Sequence, residues 1–557
     1  MNSSNSKSAT QLLAAIILLV FTFLIFSQAG KKFTLDELDF PVVAKATSET
    51  GLPVYYRGEA TPHHLGLYHP PLYIYALATQ IKLFGFSENT VRAFGYACAL
   101  LTAYLALLLS RSLLPQPGQH LYRVVFLGVY LLNPYTLANA TLPDIDSTIL
   151  PPLMTLFALL LMKKKGNFAL AAVFCVLLWA KLTTPLALIP FSMAYWKFSG
   201  ESIRNLLIRA GWIFGGGILL FLASYWIYCT AVALPFGYTF SFLVHSFTKG
   251  SASPGIGSLF IKIWGNLGNF KYFAAGITTP FLLLFLASVG YFSIQRNRST
   301  EQKNALFLLC LAAAVTLFYC SLISPFGGFF KYPFAVFQFA CIGVALIIVH
   351  GAEKFEIKSS YQTVIVGAIT LFFTLAQMLR WHDKPSFGSR LPPGTLAAVA
   401  IVMGLAVGLL LARRNGWGRT GAALTLVSFA AALGTGFGIA RYEALAPFPT
   451  KYSYGQIGMN ETIAYLKANL KDGEIVWSMK DVGFYTGNRY VENYEFFFTP
   501  DADVKIEALV KSGVRFFVGT RYIGEDNLGA YPEVMGALDN CCKLAKNFGN
   551  YYIYIPK

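Results

Sequence analysis

The sequence predicts an α-helical polytopic membrane protein with about 13 transmembrane helices and a small C-terminal extracytoplasmic α/β domain. Three observations predict it. The 557 residues are 55% apolar and only 13% charged, where a soluble chain carries roughly a quarter charged residues; mean hydropathy is +0.53. Apolar runs of membrane-spanning length recur between residues 11 and 440. From about residue 443 those runs stop and charge returns.

The elements follow in order. Candidate spans lie at 11–28, 92–113, 124–140, 147–162, 167–182, 185–197, 211–233, 274–294, 305–324, 334–350, 363–380, 395–412 and 420–440. The first has no small-residue cleavage site and reads as a retained helix. Residues 72–86, LYIYALATQIKLFGF, are too short to span and read as an interfacial helix. In residues 443–557, NETIAYLKANL reads as an amphipathic helix capped by Asn460, and DADVKIEALVKSG as another ending at Gly513. GEIVWSM, VRFFVGT and YYIYI read as strands. The domains are therefore 1–442, with a first outer loop at 29–91, and 443–557. No internal repeat is evident, and the eight cysteines show no metal or redox spacing.

The net charge of +17 does not indicate nucleic acid, because the basic residues sit mostly in short loops between apolar runs. They read as topology signals and contacts to membrane lipids. Sixteen fall on one side, from Arg111 and Arg123 through Lys163, Lys164 and Lys165 to Arg413, Arg414 and Arg419. The opposite short loops hold about eight. The N-terminus is thus expected in the cytoplasm, with loop 29–91 and the C-terminal domain outside.

That outer face collects the carboxylates that matter. Asp36, Glu37 and Asp39 follow the first span directly, and Asp144 and Asp146 lie in the short apolar hairpin LANATLPDIDSTILPPL. Charge beside a bilayer is costly and marks a functional candidate. A solvated acidic loop is the alternative for Asp39 and Glu49, and a helix cap for Asp144. Cations on the same face are His63, His64 and His69, Arg92 at a span entrance, Lys181 in WAKLTTP and Lys331 in SPFGGFFKYPFAVF. Snorkelling is the alternative for Arg92 and Lys181. The three histidines are the candidates for a divalent metal, at a spacing that diagnoses none.

One carboxylate beside several cations suits transfer of a sugar from a lipid phosphate. The carboxylate takes the acceptor's proton, and cations stabilise the departing phosphate. Hydrolysis of a glycoside would instead demand a second, protonated carboxyl.

The motifs resemble the GT-C glycosyltransferases, specifically the family 39-like branch of protein mannosyltransferases and lipid A aminoarabinose transferases. The resemblance rests on Asp36-Glu37 after the first span, YHPPLYIYAL leading into the interfacial helix, PDIDS between the third and fourth spans, and KYPFAVF before a late span. It implies Asp36 as catalytic base, with Glu37 and Asp146 assisting. It implies His69, Lys331, Tyr332 and Arg92 at the donor phosphate, and Asp144 and Tyr68 at the substrate. Tyr68 stands where aminoarabinose transferases carry an acidic residue, and their Arg after the acid pair is absent, with Asp39 and Phe40 in that region.

The resulting expectation is an inverting glycosyltransferase of the bacterial plasma membrane, using a polyprenyl-phosphate-linked sugar and a glycan, lipid or protein acceptor. The acid of the first loop and the YHPP turn are expected to face one cavity, with His69 gaining charge as pH falls toward about 6. The rival is a transporter or lipid flippase, which would more often show inverted repeats and mid-membrane charges. A non-catalytic scaffold is a third reading.

Overall fold

The computed structural model describes residues 3–55 (except 31 and 34), 64–65, 69–114, 119–241 (except 238), 277–322 (except 278, 296 and 297), 329–354, 458–493 (except 488), 502–520 and 532–557. The expected spans at 363–380, 395–412 and 420–440 lie outside the described residues. The chain divides into two compact units. One holds residues 1–30, 68–73 and 89–442; the other holds 31–67, 74–88 and 443–557.

The first unit is helical. Its helices are α1 (Ser3–Ala29), α4 (Glu88–Leu109), α5 (Gln119–Leu131), α6 (Pro134–Ala140), α7 (Leu150–Met162), α8 (Asn167–Ala180), α9 (Leu188–Phe198), α10 (Ile203–Ala210), α11 (Gly216–Ala231), α12 (Thr279–Ile294), α13 (Thr300–Leu322) and α14 (Phe337–Lys354). Four helical stretches among the described residues are long and apolar enough to cross a membrane: Glu88–Ser112, Ile203–Ala231, Thr300–Ser321 and Lys331–Gly351. Burial separates them. The apolar window of Lys331–Gly351 is 83% buried and that of Ile203–Ala231 only 28%, so α14 is a central helix and α11 a peripheral one. Trp226, Ile227 and Leu219 of α11 are correspondingly exposed, as expected of a face meant for lipid.

Two expected spans differ from the structure for local reasons. The run 124–140 is broken into α5 and α6 at Asn133-Pro134. Pro134 opens α6, where its missing N–H costs nothing, and the Asn133 side chain caps the new helix by accepting from the Tyr135 N–H. The 211–233 span begins earlier, because α10 runs through a π-helical turn at Gly211–Gly215 into α11.

The break at Asn133 sends the chain into the loop 141–149, which carries the acidic hairpin. Gly95 of α4 lets this loop come close. A Cβ at Gly95 would meet the Ala140 carbonyl oxygen at 2.3 Å and the Thr148 methyl at 3.4 Å. Arg92, one turn earlier, is 4% exposed and donates to the carbonyls of Ala29 (2.9 Å) and Thr141 (3.1 Å). It therefore ties the end of α1 to the entrance of the loop.

The second unit has a five-stranded mixed sheet. With β1 (Val54–Tyr55) and β2 (His64–Leu65) forming a separate small ribbon, the sheet contains β3 (Ile475–Ser478), β4 (Arg489–Glu492), β5 (Val514–Thr520), β6 (Cys542–Phe548) and β7 (Tyr551–Pro556), in the order β4-β3-β5-β7-β6. β3 pairs in parallel with β4 and β5, while β7 pairs antiparallel with β5 and β6. Alternation places Trp477, Phe517 and Tyr554 on one face and Val476, Phe516 and Ile553 on the other. Helices α15 (Met459–Asn469) and α16 (Lys480–Thr486) cover the second face through Ile463, Leu466 and Val482. α17 (Ala502–Lys511) and α18 (Pro532–Cys541) cover the first through Ile506, Val534 and Leu538. Asn460 is not the cap of α15: the cap position is two residues earlier, at Gly458 with φ 89°, and Asn460 lies in the first turn.

This unit also includes most of the first loop. A 3-10 turn at Leu35–Leu38 carries Asp36 and Glu37 and passes directly into α2 (Asp39–Thr50); the segment expected at 72–86 is helical, as α3 (Leu72–Phe84). The first loop thus packs with the C-terminal domain rather than forming a separate appendage of the helices.

Candidate functional site

The hairpin 141–149 places its two aspartates through a turn of its own making. One Asp144 carboxylate oxygen accepts the Asp146 N–H at 3.0 Å, and the Thr148 hydroxyl donates to the Asp144 carbonyl at 2.6 Å. This is an Asx turn, so Asp144 does not cap α7, whose first turn has no side-chain cap. Ser147 donates to the Asn139 side-chain oxygen at 2.8 Å, which fixes the far side of the loop.

Each aspartate then meets a lysine from elsewhere in the chain. Lys331 lies 2.7 Å from the other Asp144 oxygen, and Lys181 lies 2.5 Å from Asp146. Lys181 is the first residue after α8, in extended conformation, so its side chain leaves the helix end. Lys331 lies in a 3-10 stretch, Phe329–Val336, held by Pro333. Tyr332 joins the two pairs. Its ring stacks on Tyr319 with centroids 5.1 Å apart, and the Lys181 ammonium lies 4.3 Å from its centroid. The Tyr319 hydroxyl is 2.6 Å from that of Thr184.

The two pairs are not equivalent. The side chains of Lys181 and Asp146 are 3% and 2% exposed, against 11% and 6% for Lys331 and Asp144. Lys331 is thus the more accessible of the two ammonium groups. Lys181 and Asp146 form the floor. One oxygen of Asp146 is buried with no hydrogen-bond partner among the described residues. Burial pushes the Asp146 carboxyl up to about 6, and the Lys181 ammonium limits that rise.

His69 belongs to the same cluster. Desolvation, with the charges of Lys181 and Lys331, pushes its imidazole down to about 3, opposed only in part by Asp144. It is a neutral hydrogen-bonding group through the physiological range. This corrects the expectation that it gains charge toward pH 6: burial disfavours the imidazolium, and two ammonium groups already occupy its surroundings. Arg92, also expected at the phosphate, donates to the carbonyls of Ala29 and Thr141.

The structure therefore gathers Asp144, Asp146, His69, Lys331 and Tyr332 in the helical unit. Lys181, read from the sequence as a cation on the same face but with no role at the substrate, joins them through Asp146. Asp36 and Glu37 lie in the other unit, and Glu37 is buried. Tyr68 and His63 lie outside the described residues. Among the described residues, no three His, Cys, Asp or Glu side chains form a metal-holding group.

No family model matches the chain, and no curated protein matches it by sequence. Solved structures do. ArnT from Cupriavidus metallidurans, bound to undecaprenyl phosphate, is similar at a TM-score of 0.61 with 14% identity, over 98% of this chain and 97% of that chain. The apo state of the same protein gives 0.60 at the same identity and coverage. The chain has the GT-C glycosyltransferase fold. Within the GT-C fold, the archaeal oligosaccharyltransferase AglB from Archaeoglobus fulgidus is also similar at 11% identity, covering 98% of this chain and 74% of that chain with a TM-score of 0.49. The small mixed-sheet domain at the C-terminus is part of the extent over which the GT-C fold is matched.

Proposed function

We propose that the protein is an inverting glycosyltransferase of the bacterial plasma membrane. It moves a sugar from a polyprenyl-phosphate donor to a cell-envelope glycan, lipid or protein acceptor on the outer face. The observation that carries this reading is the double pair Asp144–Lys331 and Asp146–Lys181 around Tyr332, in a fold that ArnT shares while bound to undecaprenyl phosphate.

The chemistry follows from the pairs. A lipid phosphate leaving the anomeric carbon gains charge as the bond breaks, so it needs cations and no general acid. Lys331, the more exposed ammonium, exchanges Asp144 for the phosphate. Asp144 then holds Lys331 in place when the site is empty, and the Asx turn preorganises it. Lys181, locked on Asp146 beneath, contributes a fixed field through the Tyr332 ring. Neutral His69 donates a hydrogen bond to the phosphate without adding charge. Asp36, in the turn after α1, takes the proton of the acceptor hydroxyl as that oxygen displaces the phosphate with inversion, and Glu37 supports the turn. The collection of ion pairs at loops that join helices, rather than in mid-helix, favours this reading over a transporter.

The test is mass spectrometry of envelope glycans and lipids from cells with the protein, without it, and with Asp36→Asn. Loss of one sugar modification in both the deleted and the substituted strain is the expected result. An identical envelope in all three, with the protein produced, would remove the assignment.

A further inference from the structure

The chemistry proposed for Asp36 depends on a short turn directly after a helix end, and such a turn needs something to hold it. The described contacts of the second unit show what grips it. On the N-terminal side, the Phe33 N–H donates to the Tyr485 hydroxyl at 2.8 Å, and that hydroxyl donates in turn to Glu88 at 2.8 Å. On the C-terminal side, Asp39 forms an ion pair with Lys480, their side chains 28% and 14% exposed. Phe33 and Asp39 flank the Leu35–Leu38 turn, and Tyr485 and Lys480, which hold them, belong to one element, α16. Phe484, the residue before Tyr485, packs edge-on against Phe86 at 5.6 Å. The Lys45 ammonium of α2 lies 5.7 Å from the Phe86 ring and 5.8 Å from the Phe484 ring.

α16 is itself anchored. Val482 is buried in the sheet core, and a Cβ at Gly483 would meet the Tyr490 ring at 2.3 Å, so the helix is pressed onto β4. It cannot slide without disturbing the sheet. It carries Lys480, at its first position, and Tyr485, near its last, to the first loop from positions 441 and 452 residues later in the chain.

We infer that α16 is a positioning element for catalysis: Lys480 and Tyr485, one on each side of the Asp36-Glu37 turn, set the position of the catalytic acid from the C-terminal domain. This rests on the proposed role of Asp36. The C-terminal domain is then part of the active-site construction, and neither residue touches substrate. A misplaced reacting group costs rate more than affinity.

The experiment has two arms that separate this inference from the proposed function. In the first, full-length, otherwise cysteine-free protein carries Asp36→Cys, and the rate of alkylation by a small maleimide is read with and without Lys480→Ala, Tyr485→Phe or Lys480→Arg. This arm needs no enzymatic activity. The expected result is a change of roughly tenfold in alkylation rate for Lys480→Ala and for Tyr485→Phe, and little change for Lys480→Arg, which keeps the ion pair. The second arm measures sugar transfer with Asp36 intact. The kcat of Lys480→Ala should fall roughly tenfold or more with donor KM unchanged, and Lys480→Asp combined with Asp39→Lys should recover part of it. Unchanged alkylation in both Lys480→Ala and Tyr485→Phe, in protein of normal melting temperature, would overturn the inference whatever the activity. Altered alkylation with no sugar transfer by any variant, wild type included, would leave α16 as the grip on the turn and overturn its catalytic role.

Discussion

Lys181→Met removes the ammonium from the floor of the site and leaves the buried Asp146 carboxylate without its ion-pair partner. The two side chains are 3% and 2% exposed and 2.5 Å apart, and the second Asp146 oxygen has no hydrogen-bond partner among the described residues. Water therefore cannot replace Lys181 cheaply. Breaking a buried pair by removing one member costs about 3–5 kcal/mol, whereas replacing both by apolar groups of similar volume is close to neutral. Lys181→Met should lose stability on that scale, and adding Asp146→Leu should restore most of it. The sign of the pH effect follows from the carboxyl. Its folded value is already raised to about 6 by burial with Lys181 in place, and losing the ammonium raises it further. A raised carboxyl favours the folded state when protonated, and that advantage is lost as pH rises through the folded value. The deficit of Lys181→Met should thus be smaller at pH 5 than at pH 8. Unfolding by SDS titration in mild detergent, followed by tryptophan fluorescence at both pH values, reads all three quantities. A Lys181→Met protein as stable as wild type at pH 8, or a double variant no better than the single, would refute the reasoning.

Two further outcomes concern Lys331 and His69. Lys331→Ala should weaken binding of undecaprenyl phosphate by about 1–3 kcal/mol, the scale of one charged hydrogen bond, measured by competition in detergent; unchanged affinity would remove Lys331 from the phosphate. His69→Ala should weaken the same binding by a factor that stays flat between pH 5 and pH 8, because the folded imidazole is held neutral down to about 3. The depressed value makes the folded state lose stability as pH falls from 6.5 toward 3, so His69→Ala should also lessen acid destabilisation. An effect on binding that grows toward pH 6 would show a cationic imidazole.

The sequence made the membrane class and the acid sets legible through contrast. Asp36-Glu37 and Asp144/Asp146 stand out because their neighbours are apolar and a charge there has a cost. Their pairings were not legible. Lys181 is 35 residues from Asp146 and Lys331 is 187 from Asp144, distances that only packing closes. The Asn133-Pro134 break was written plainly, but the apolar run on both sides outweighed it. Trp477, Phe517 and Ile553 lie in strands whose β-branched and aromatic content announced them. β6 has no signature in the sequence, because CKLAKNF is largely exposed and lacks an apolar face. α16 was missed because seven residues are too few to show a helical period. Its tie to the first loop left no local trace, since Lys480 and Asp39 each look like ordinary surface charges.

The most direct measurement uses purified protein in detergent, a total extract of polyprenyl-phosphate-linked sugars, and solubilised envelope as acceptor. The quantity read is free polyprenyl phosphate released over time. The account predicts release by wild type and a rate lower by about 10²-fold or more for Asp36→Asn, which keeps the size of the side chain but cannot take the proton. Protein-independent release, or an Asp36→Asn rate near that of wild type, would contradict it.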